Sequence, residues 1–122
     1  LERTAPLDVA GVSTKLRLTK NPASWREALR GVTSENVILI LNAREVDGID
    51  TSWLWDIDFT PLKGKKVSVT GERALDMVYR LHVQGIETKD FKDFQSAAKS
   101  YEKGSQVDVL AAYTAFHGLV KA

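Results

Sequence analysis

The pattern of apolar and polar residues divides the chain into short strands separated by helices. In segment 15–19, two leucines alternate with charged residues, which is typical of a half-exposed strand. Segment 37–41 is apolar throughout and too short for a typical helix, as expected of a strand covered on both faces. Segments 67–70 and 107–112 predict two further strands.

The first helix has the clearest start signal. Asn21 can cap a helix, and Pro22 suits the first helical position, where its missing N–H costs nothing. We therefore predict a helix from Pro22 to about Arg30, closed by Gly31 in the left-handed conformation. Its buried residues are predicted to be Trp25, Ala28 and Leu29.

Three more helices are predicted further along the chain. The second opens at 71–73 and stops at Gly85, with apolar residues at helical spacing. The third is an amphipathic helix up to Gly104, and the fourth covers 114–121. The residues that carry the helical spacing are Leu75, Val78 and Leu81 in the second helix, and Phe91, Phe94, Ala98 and Tyr101 in the third.

Strands that alternate with helices indicate right-handed βαβ units around a mostly parallel sheet. We therefore predict an α/β fold with three layers, in which helices cover both faces of the sheet. The predicted domain covers residues 15–122. Residues 1–14 are short, polar and interrupted by Pro6 and Gly11, so we expect a lead-in from a preceding domain.

Composition limits the classes of function. With 122 residues, 43% hydrophobic and 27% charged, the chain suits one globular domain. A net charge of +1 without a basic stripe argues against nucleic acid as a partner. The chain has no cysteine, so any thiol chemistry must come from another chain. No signal peptide or membrane span is recognisable, and we expect a soluble, cytoplasmic piece of a longer protein.

Common cofactor and metal signatures are absent from the sequence. Segment 63–66 lacks the leading glycine and the Ser/Thr of a phosphate loop, and no G-x-G-x-x-G follows a strand. His82 and His117 have no second ligand at helical spacing, so no metal site is predicted.

The most unusual segment is 47–59, which we call the Asp-Trp segment. It holds four aspartates and two tryptophans, and it follows the apolar strand 37–41, at the sheet edge where α/β proteins place ligands. Asp50 and Asp56 could each orient an imidazole, or they could cap the turn around Ser52; composition favours capping. Trp53 and Trp55 could be core residues or anchors for a partner, and the core interpretation is favoured for at least one.

Several motifs together resemble one family. They occur in order along residues 15–119, and the string Asp-Gly-x-Asp-x-Ser-Trp-x-x-Asp-x-Asp-Phe is the most specific. The motifs are Lys20-Asn21-Pro22-Ala23, Leu41-Asn42, the Asp-Trp segment, Thr70-Gly71-Glu72-Arg73-Ala74, Arg80-Leu81 and Tyr113-Thr114. With these motifs the chain is similar to the C-terminal domain of the MurT family, the Mur-ligase-like subunits of lipid II isoglutaminyl synthase, which implies a Rossmann-like fold.

The resemblance implies a role within a two-subunit ligase. In that family a glutaminase subunit, GatD, hydrolyses glutamine with its own cysteine and histidine and passes ammonia to MurT. MurT uses ATP to activate the α-carboxyl of D-glutamate in the lipid II stem peptide, which ammonia converts to D-isoglutamine. The reaction takes place at the inner face of the membrane. ATP and Mg²⁺ would be bound mainly by a central domain outside this chain.

The resemblance also implies roles for individual residues. Asp50 is the candidate catalytic carboxylate that completes the cysteine–histidine pair of the partner. Trp53, Trp55 and Asp56 are candidates for binding the glutaminase. Lys20 and Asn21 are weak candidates for contacting the nucleotide, because the sequence departs from the family pattern nearby, with Ser24, Ala43 and Ile49 where glycine, aspartate and arginine are usual.

Two other functions fit the sequence. The domain could be a non-catalytic protein-interaction module in which Asp50 is structural. It could also be the third domain of an amino-acid-adding Mur ligase, which would need a basic pocket for a carboxylate; Arg44 and Arg73 are the only arginines at predicted strand ends.

Overall fold

The structure is a computed structural model that describes residues 4–42 and 52–112, with side chains described from residue 8 onward. The strands are β1 (Thr4–Val9), β2 (Val12–Thr19), β3 (Asn36–Ile40), β4 (Lys66–Thr70), β5 (Thr88–Asp90) and β6 (Gln106–Ala112). The α-helices are α1 (Pro22–Arg30), α2 (Ala74–Val83) and α3 (Phe94–Lys99), and two 3₁₀ helices cover Ser52–Asp56 and Thr60–Leu62.

The six strands form one mixed sheet in the order β1-β2-β6-β3-β4-β5. Only β1 runs antiparallel to its neighbour, while the other four pairings are parallel. Alternate residues of β3 enter two separate cores. Val37 and Leu39 pack with α1 and α2 on one face, and Ile38 and Ile40 pack with α3 on the other. The predicted three-layer α/β fold is therefore confirmed.

The first strands extend further towards the N-terminus than expected. Residues 4–9, expected as part of a lead-in, form an edge strand paired with β2, and β2 begins at Val12 instead of residue 15. Ala10 and Gly11 connect them with φ values of 52° and 82°, as a two-residue hairpin turn requires. The sequence did not predict this strand because Pro6 argued against it. Proline is tolerated in a sheet at edges and bulges, and β1 is an edge strand.

Helix α1 has the predicted bounds, and Trp25, Ala28 and Leu29 are buried as predicted. The predicted left-handed conformation of Gly31 is wrong, because its φ is −85°. The glycine has another role: a Cβ there would clash with the guanidinium of Arg17, whose Nη2 donates to the Gly31 carbonyl at 2.9 Å. A side chain at residue 31 would therefore require the Arg17 guanidinium to move, whereas the backbone conformation there is one that any residue can adopt.

The two later helices differ from the prediction in detail. Helix α2 is followed by Gly85 at φ 77°, but its inner face is formed by Ala74, Met77 and Leu81, and Leu75 is 71% exposed. Helix α3 is only six residues long, starts at the cap Asp93 and is preceded by the unpredicted β5. The predicted helix 114–121 lies outside the described residues. None of the described helices has the length and apolar character needed to cross a membrane.

Candidate functional site in the Asp-Trp segment

The described part of the Asp-Trp segment, 52–59, lies against the core formed by α1 and α2. Leu54, Ile57 and Phe59 are fully buried there, whereas Asp56 and Asp58 are exposed. Short 3₁₀ turns produce this division, because they place residues about three apart on the same side. The segment thus holds acids at the surface above an apolar base.

The two tryptophans have opposite environments. Trp53 is half-buried, and its ring centroid lies 6.1 Å from that of the buried Trp25. Trp55 is 48% exposed and meets Tyr79 of α2 edge to face, with 5.8 Å between ring centroids. Trp53 therefore packs with the core, and Trp55 presents apolar surface to the outside. Their assignment to partner binding stays a prediction.

Arg80 of α2 is the main internal support of the segment. Its side chain is nearly buried, with 9% of the residue exposed. Nε donates to the Leu54 carbonyl at 3.0 Å, Nη2 donates to the Ile57 carbonyl at 2.8 Å, and Cζ lies 4.8 Å from the centroid of the Trp55 ring. Among the described residues no carboxylate forms an ion pair with Arg80. Its charge is stabilised by two carbonyl dipoles and an indole face, and it also interacts electrostatically with the Asp58 carboxylate.

Two other side chains hold the segment from the same helices. Arg26 of α1 donates through Nη2 to the Asp56 carbonyl at 3.1 Å. Gln84 accepts from the Phe59 N–H at 2.8 Å and donates to Oδ1 of Asp58 at 3.0 Å. We call Arg26, Arg80 and Gln84 the clamp. It attaches the segment to both helices through five hydrogen bonds, two of them from Arg80.

Asp58 has a structural role in this arrangement. Its Oδ1 also accepts from the backbone N–H of Thr60 at 3.0 Å, at the start of the second 3₁₀ helix. The bond from Thr60, followed by that from Gln84, lowers the pKa of Asp58 below its usual value. The carboxylate is therefore ionised at neutral pH and occupied in fixing the turn.

Asp50, the candidate catalytic residue, lies outside the described residues, as do Asp47 and Thr51. Its role stays a prediction. The described chain resumes two residues later in the sequence, at Ser52, where the first 3₁₀ helix begins.

Lys20 and Asn21 follow β2 at the same edge of the sheet. Lys20 is exposed. The Asn21 Oδ1 accepts from the Ser24 N–H at 2.9 Å, and Ser24 Oγ accepts in return from the backbone N–H of Asn21 at 3.0 Å, forming a capping box. Capping uses the side-chain oxygen of Asn21, and the exposed Lys20 contributes a positive charge beside it. Nucleotide contact by these residues stays a prediction.

The loops that leave β3 and β4 are joined next to this edge. The Arg73 N–H donates to the Leu41 carbonyl at 2.9 Å, and the Glu72 N–H donates to Oδ1 of Asn42 at 2.9 Å. Arg73 itself pairs with Asp76 at 2.5 Å. Arg44, the other arginine considered for a carboxylate pocket, lies outside the described residues. Within the described ranges, no group of three His, Asp or Glu side chains could hold a metal ion.

Sequence reasoning identified the Asp-Trp segment but missed the clamp. Arginine and glutamine side chains on or beside a helix are normally expected in solvent, and the spacing of these three residues does not indicate what they contact. The available signals were the place of Arg80-Leu81 among the motifs of the family resemblance and the position of Arg80 between the inward-facing Met77 and Leu81 on α2.

Comparison with known proteins agrees with this architecture. Residues 18–116 match the family described as MurT ligase C-terminal. The chain is 30% identical, over 82% of its length, to the MurT subunit of lipid II isoglutaminyl synthase (glutamine-hydrolyzing) from Streptococcus pneumoniae R6. It is 32% identical, over 70% of its length, to the MurT subunit from Staphylococcus aureus COL. The matches cover 25% of each relative. The chain belongs to the MurT ligase C-terminal family.

Proposed function

We propose that this chain is the C-terminal domain of an ATP-dependent, glutamine-fed amide ligase that amidates the α-carboxyl of D-glutamate in the lipid II stem peptide. The observation that carries the proposal is the family match over residues 18–116. The relatives' names, which describe a glutamine-hydrolysing lipid II isoglutaminyl synthase, support the choice of reaction. The site of action would be the cytoplasmic face of the membrane, where the stem peptide of lipid II is exposed.

The reaction needs an activated carboxyl group and a supply of ammonia. The α-carboxyl is converted to an acyl phosphate at the expense of ATP, and ammonia from glutamine then attacks the carbonyl carbon and displaces phosphate. In the proposal ATP and Mg²⁺ are bound mainly by a central domain, and Lys20 approaches the nucleotide from the edge of the sheet. Because this chain lacks a phosphate loop, the isolated domain is expected to show no ATPase activity.

The proposed contribution of this domain to ammonia supply depends on Asp50. Its carboxylate would accept a hydrogen bond from the catalytic histidine of a GatD-type glutaminase and hold the imidazole in the correct tautomer. A split triad agrees with the absence of cysteine from this chain. In the same proposal, Trp55 and Asp56 contact the glutaminase, because both are exposed on the segment that follows Asp50.

The test is glutamine hydrolysis by the full-length complex carrying Asp50→Asn. We expect kcat to fall by up to about 10⁴-fold, because a wrongly held imidazole is a poor base, while the subunits still co-purify. The control is Asp93→Asn, which removes a helix-capping aspartate on the opposite face of the sheet. Unchanged hydrolysis in Asp50→Asn would contradict the triad role.

A second candidate function, a non-catalytic interaction module, is supported by the exposed apolar surface of Trp55, Leu75, Tyr79 and Val83. In that case Asp50→Asn would weaken assembly or change nothing, and hydrolysis per assembled complex would be unaffected. The two functions are therefore separated by measuring hydrolysis and assembly on the same sample.

A further inference from the structure

Arg80 occupies an unusual position for a charged residue. It is 9% exposed, and among the described residues no carboxylate forms an ion pair with it. Asp58 interacts with its charge electrostatically, but burying a charge without a direct ion pair is costly, so the site must recover that cost through other contacts. The contacts are the carbonyls of Leu54 and Ile57 and the face of the Trp55 indole.

All three contacts of Arg80 fall on one short segment. The two carbonyls lie at either end of the turn 54–57, so one rigid guanidinium sets the distance between them. The same group supports the inner face of the Trp55 ring, whose outer part is exposed and rests edge-on against Tyr79. Arg80 therefore determines both the path of the backbone and the direction in which Trp55 projects.

From this geometry we infer that Arg80 is a positioning residue for the proposed glutaminase site, and that it acts through the backbone of 54–57 and the Trp55 indole. The inference rests on the proposed function. Its partner is the glutamine-hydrolysing subunit, whose proposed contacts, Trp55 and Asp56, lie on the turn that Arg80 holds.

Arg26 and Gln84 do not replace this function. Arg26 is exposed and bonds the single carbonyl of Asp56, and Gln84 bonds residues 58 and 59. Neither bonds the carbonyls of Leu54 and Ile57, which begin and end the turn that carries Trp55. Loss of Arg80 therefore leaves residues 56, 58 and 59 attached, while the carbonyls of Leu54 and Ile57 and the ring of Trp55 lose their contacts with the guanidinium.

The experiment compares Arg80→Lys and Arg80→Met in the full-length complex with its glutaminase subunit. Lysine keeps the charge but cannot bridge two carbonyls as a planar fork does, and methionine keeps only the apolar volume. We expect kcat for glutamine hydrolysis to fall by roughly 10²-fold in Arg80→Met and by less in Arg80→Lys, because misplacing a catalytic group by about 1 Å can lower the rate by about this factor. KM for glutamine should be unchanged. Arg30→Met, an exposed arginine on α1 paired with Glu27, is the matched control.

A second readout separates positioning from general loss of structure. With 5-fluorotryptophan incorporated and resonances assigned by Trp→Phe substitution, the ¹⁹F signal of Trp55 should shift in Arg80→Lys, while that of the buried Trp25 stays unchanged. This variant keeps the test valid if Arg80→Met fails to fold. Unchanged kcat together with an unchanged Trp55 signal would overturn the inference.

Asp50→Asn, measured in parallel, distinguishes the two proposals. If Asp50→Asn abolishes hydrolysis and Arg80→Lys and Arg80→Met do not lower kcat, the triad proposal stands and the positioning role of Arg80 is wrong. If Asp50→Asn has no effect, the triad proposal is wrong. Arg80 is then a positioning residue for docking only if its substitution weakens binding of the glutaminase and shifts the Trp55 signal; otherwise the inference is overturned.

Discussion

Gly71 lies directly against the backbone of Leu41. A Cβ atom at residue 71 would clash with the Leu41 carbonyl group, and the glycine has φ 108°, which side chains rarely adopt. The contact joins the ends of β3 and β4 below the edge where the predicted site lies. Close approach of two backbones and left-handed φ both require glycine here.

Gly71→Ala is expected to lower the free energy of unfolding by about 3 kcal/mol or more, because strain in φ and a backbone clash act together. Urea denaturation of the chain measures the change. Gly64→Ala is the matched control, since Gly64 has φ 81° but no atom would lie within 4 Å of a Cβ at that position. The control should cost about 1–2 kcal/mol from φ alone. Equal losses would show that the contact with Leu41 is unimportant.

Tyr101 links two central strands through its hydroxyl group. The oxygen lies 2.8 Å from the carbonyls of Val37 and Lys66 and 2.9 Å from Oγ of Ser68. Tyr101→Phe should lower the free energy of unfolding by about 1–3 kcal/mol, because it leaves buried polar groups without a partner. Tyr79→Phe, at an exposed position, should change it little. A negligible loss in Tyr101→Phe would contradict this role.

Tyr101 should also contribute to alkaline unfolding. Burial raises its pKa above the usual 10.0. The folded state then favours the neutral phenol, so its contribution is complete below pH 10 and is lost as pH rises through the higher folded pKa. Denaturation between about pH 9 and 11 should show a smaller loss of stability in Tyr101→Phe than in the parent chain. An identical pH dependence in both would contradict the expectation.

Acid should weaken the turn of the Asp-Trp segment. Hydrogen bonds from Thr60 and Gln84 lower the pKa of Asp58, so its contribution is present above the unfolded value of about 3.8 and is lost as pH falls through the lower folded pKa. Denaturation measured from about pH 5 down to about 2 should show a shallower loss in Asp58→Asn. Asp93, whose pKa is lowered by the Ser96 N–H, should behave similarly. An unaltered slope in both variants would count against this assignment.

Trp55 and Trp25 should separate partner binding from stability. Trp25→Ala empties a buried position and is expected to cost about 3–5 kcal/mol of unfolding free energy. Trp55→Ala loses an edge contact and a cation–π contact, and should lower the free energy of unfolding by about 1–2 kcal/mol. If Trp55 contacts the proposed glutaminase subunit, the same change should weaken binding of that subunit by roughly 2 kcal/mol, or about thirtyfold. Denaturation and titration calorimetry measure the two effects. Unchanged affinity in Trp55→Ala would remove it from the interface.

Much of the fold was predictable, because the central elements carry strong local signals. The apolar run of β3 is buried on both faces, and so are β4 and β6, although they contain the polar residues Ser68, Thr70 and Asp108. Such strands are accommodated at the centre of a parallel sheet covered by helices. The Asn21-Pro22 pair likewise predicted the start of α1, since the cap and the proline act within one turn of chain.

The candidate site was predictable only in part. The sequence indicated an edge with exposed acids, and the structure agrees for Asp56 and Asp58. The sequence left open which tryptophan faces outward, because alternating indoles in a 3₁₀ turn carry no periodic signal. Asp50 was singled out by its motif, and its role remains to be tested by mutation.

By itself the sequence determined the α/β class, the central strands and the first helix, because hydrophobic period and capping act over a few residues. Only the tertiary structure decided that residues 4–9 join the sheet, that Leu75 faces outward and that Arg80 lies beneath Trp55. These features depend on contacts between residues far apart along the chain. Arg80, for example, can be buried because folding brings the carbonyls of Leu54 and Ile57 and the Trp55 indole close to its guanidinium.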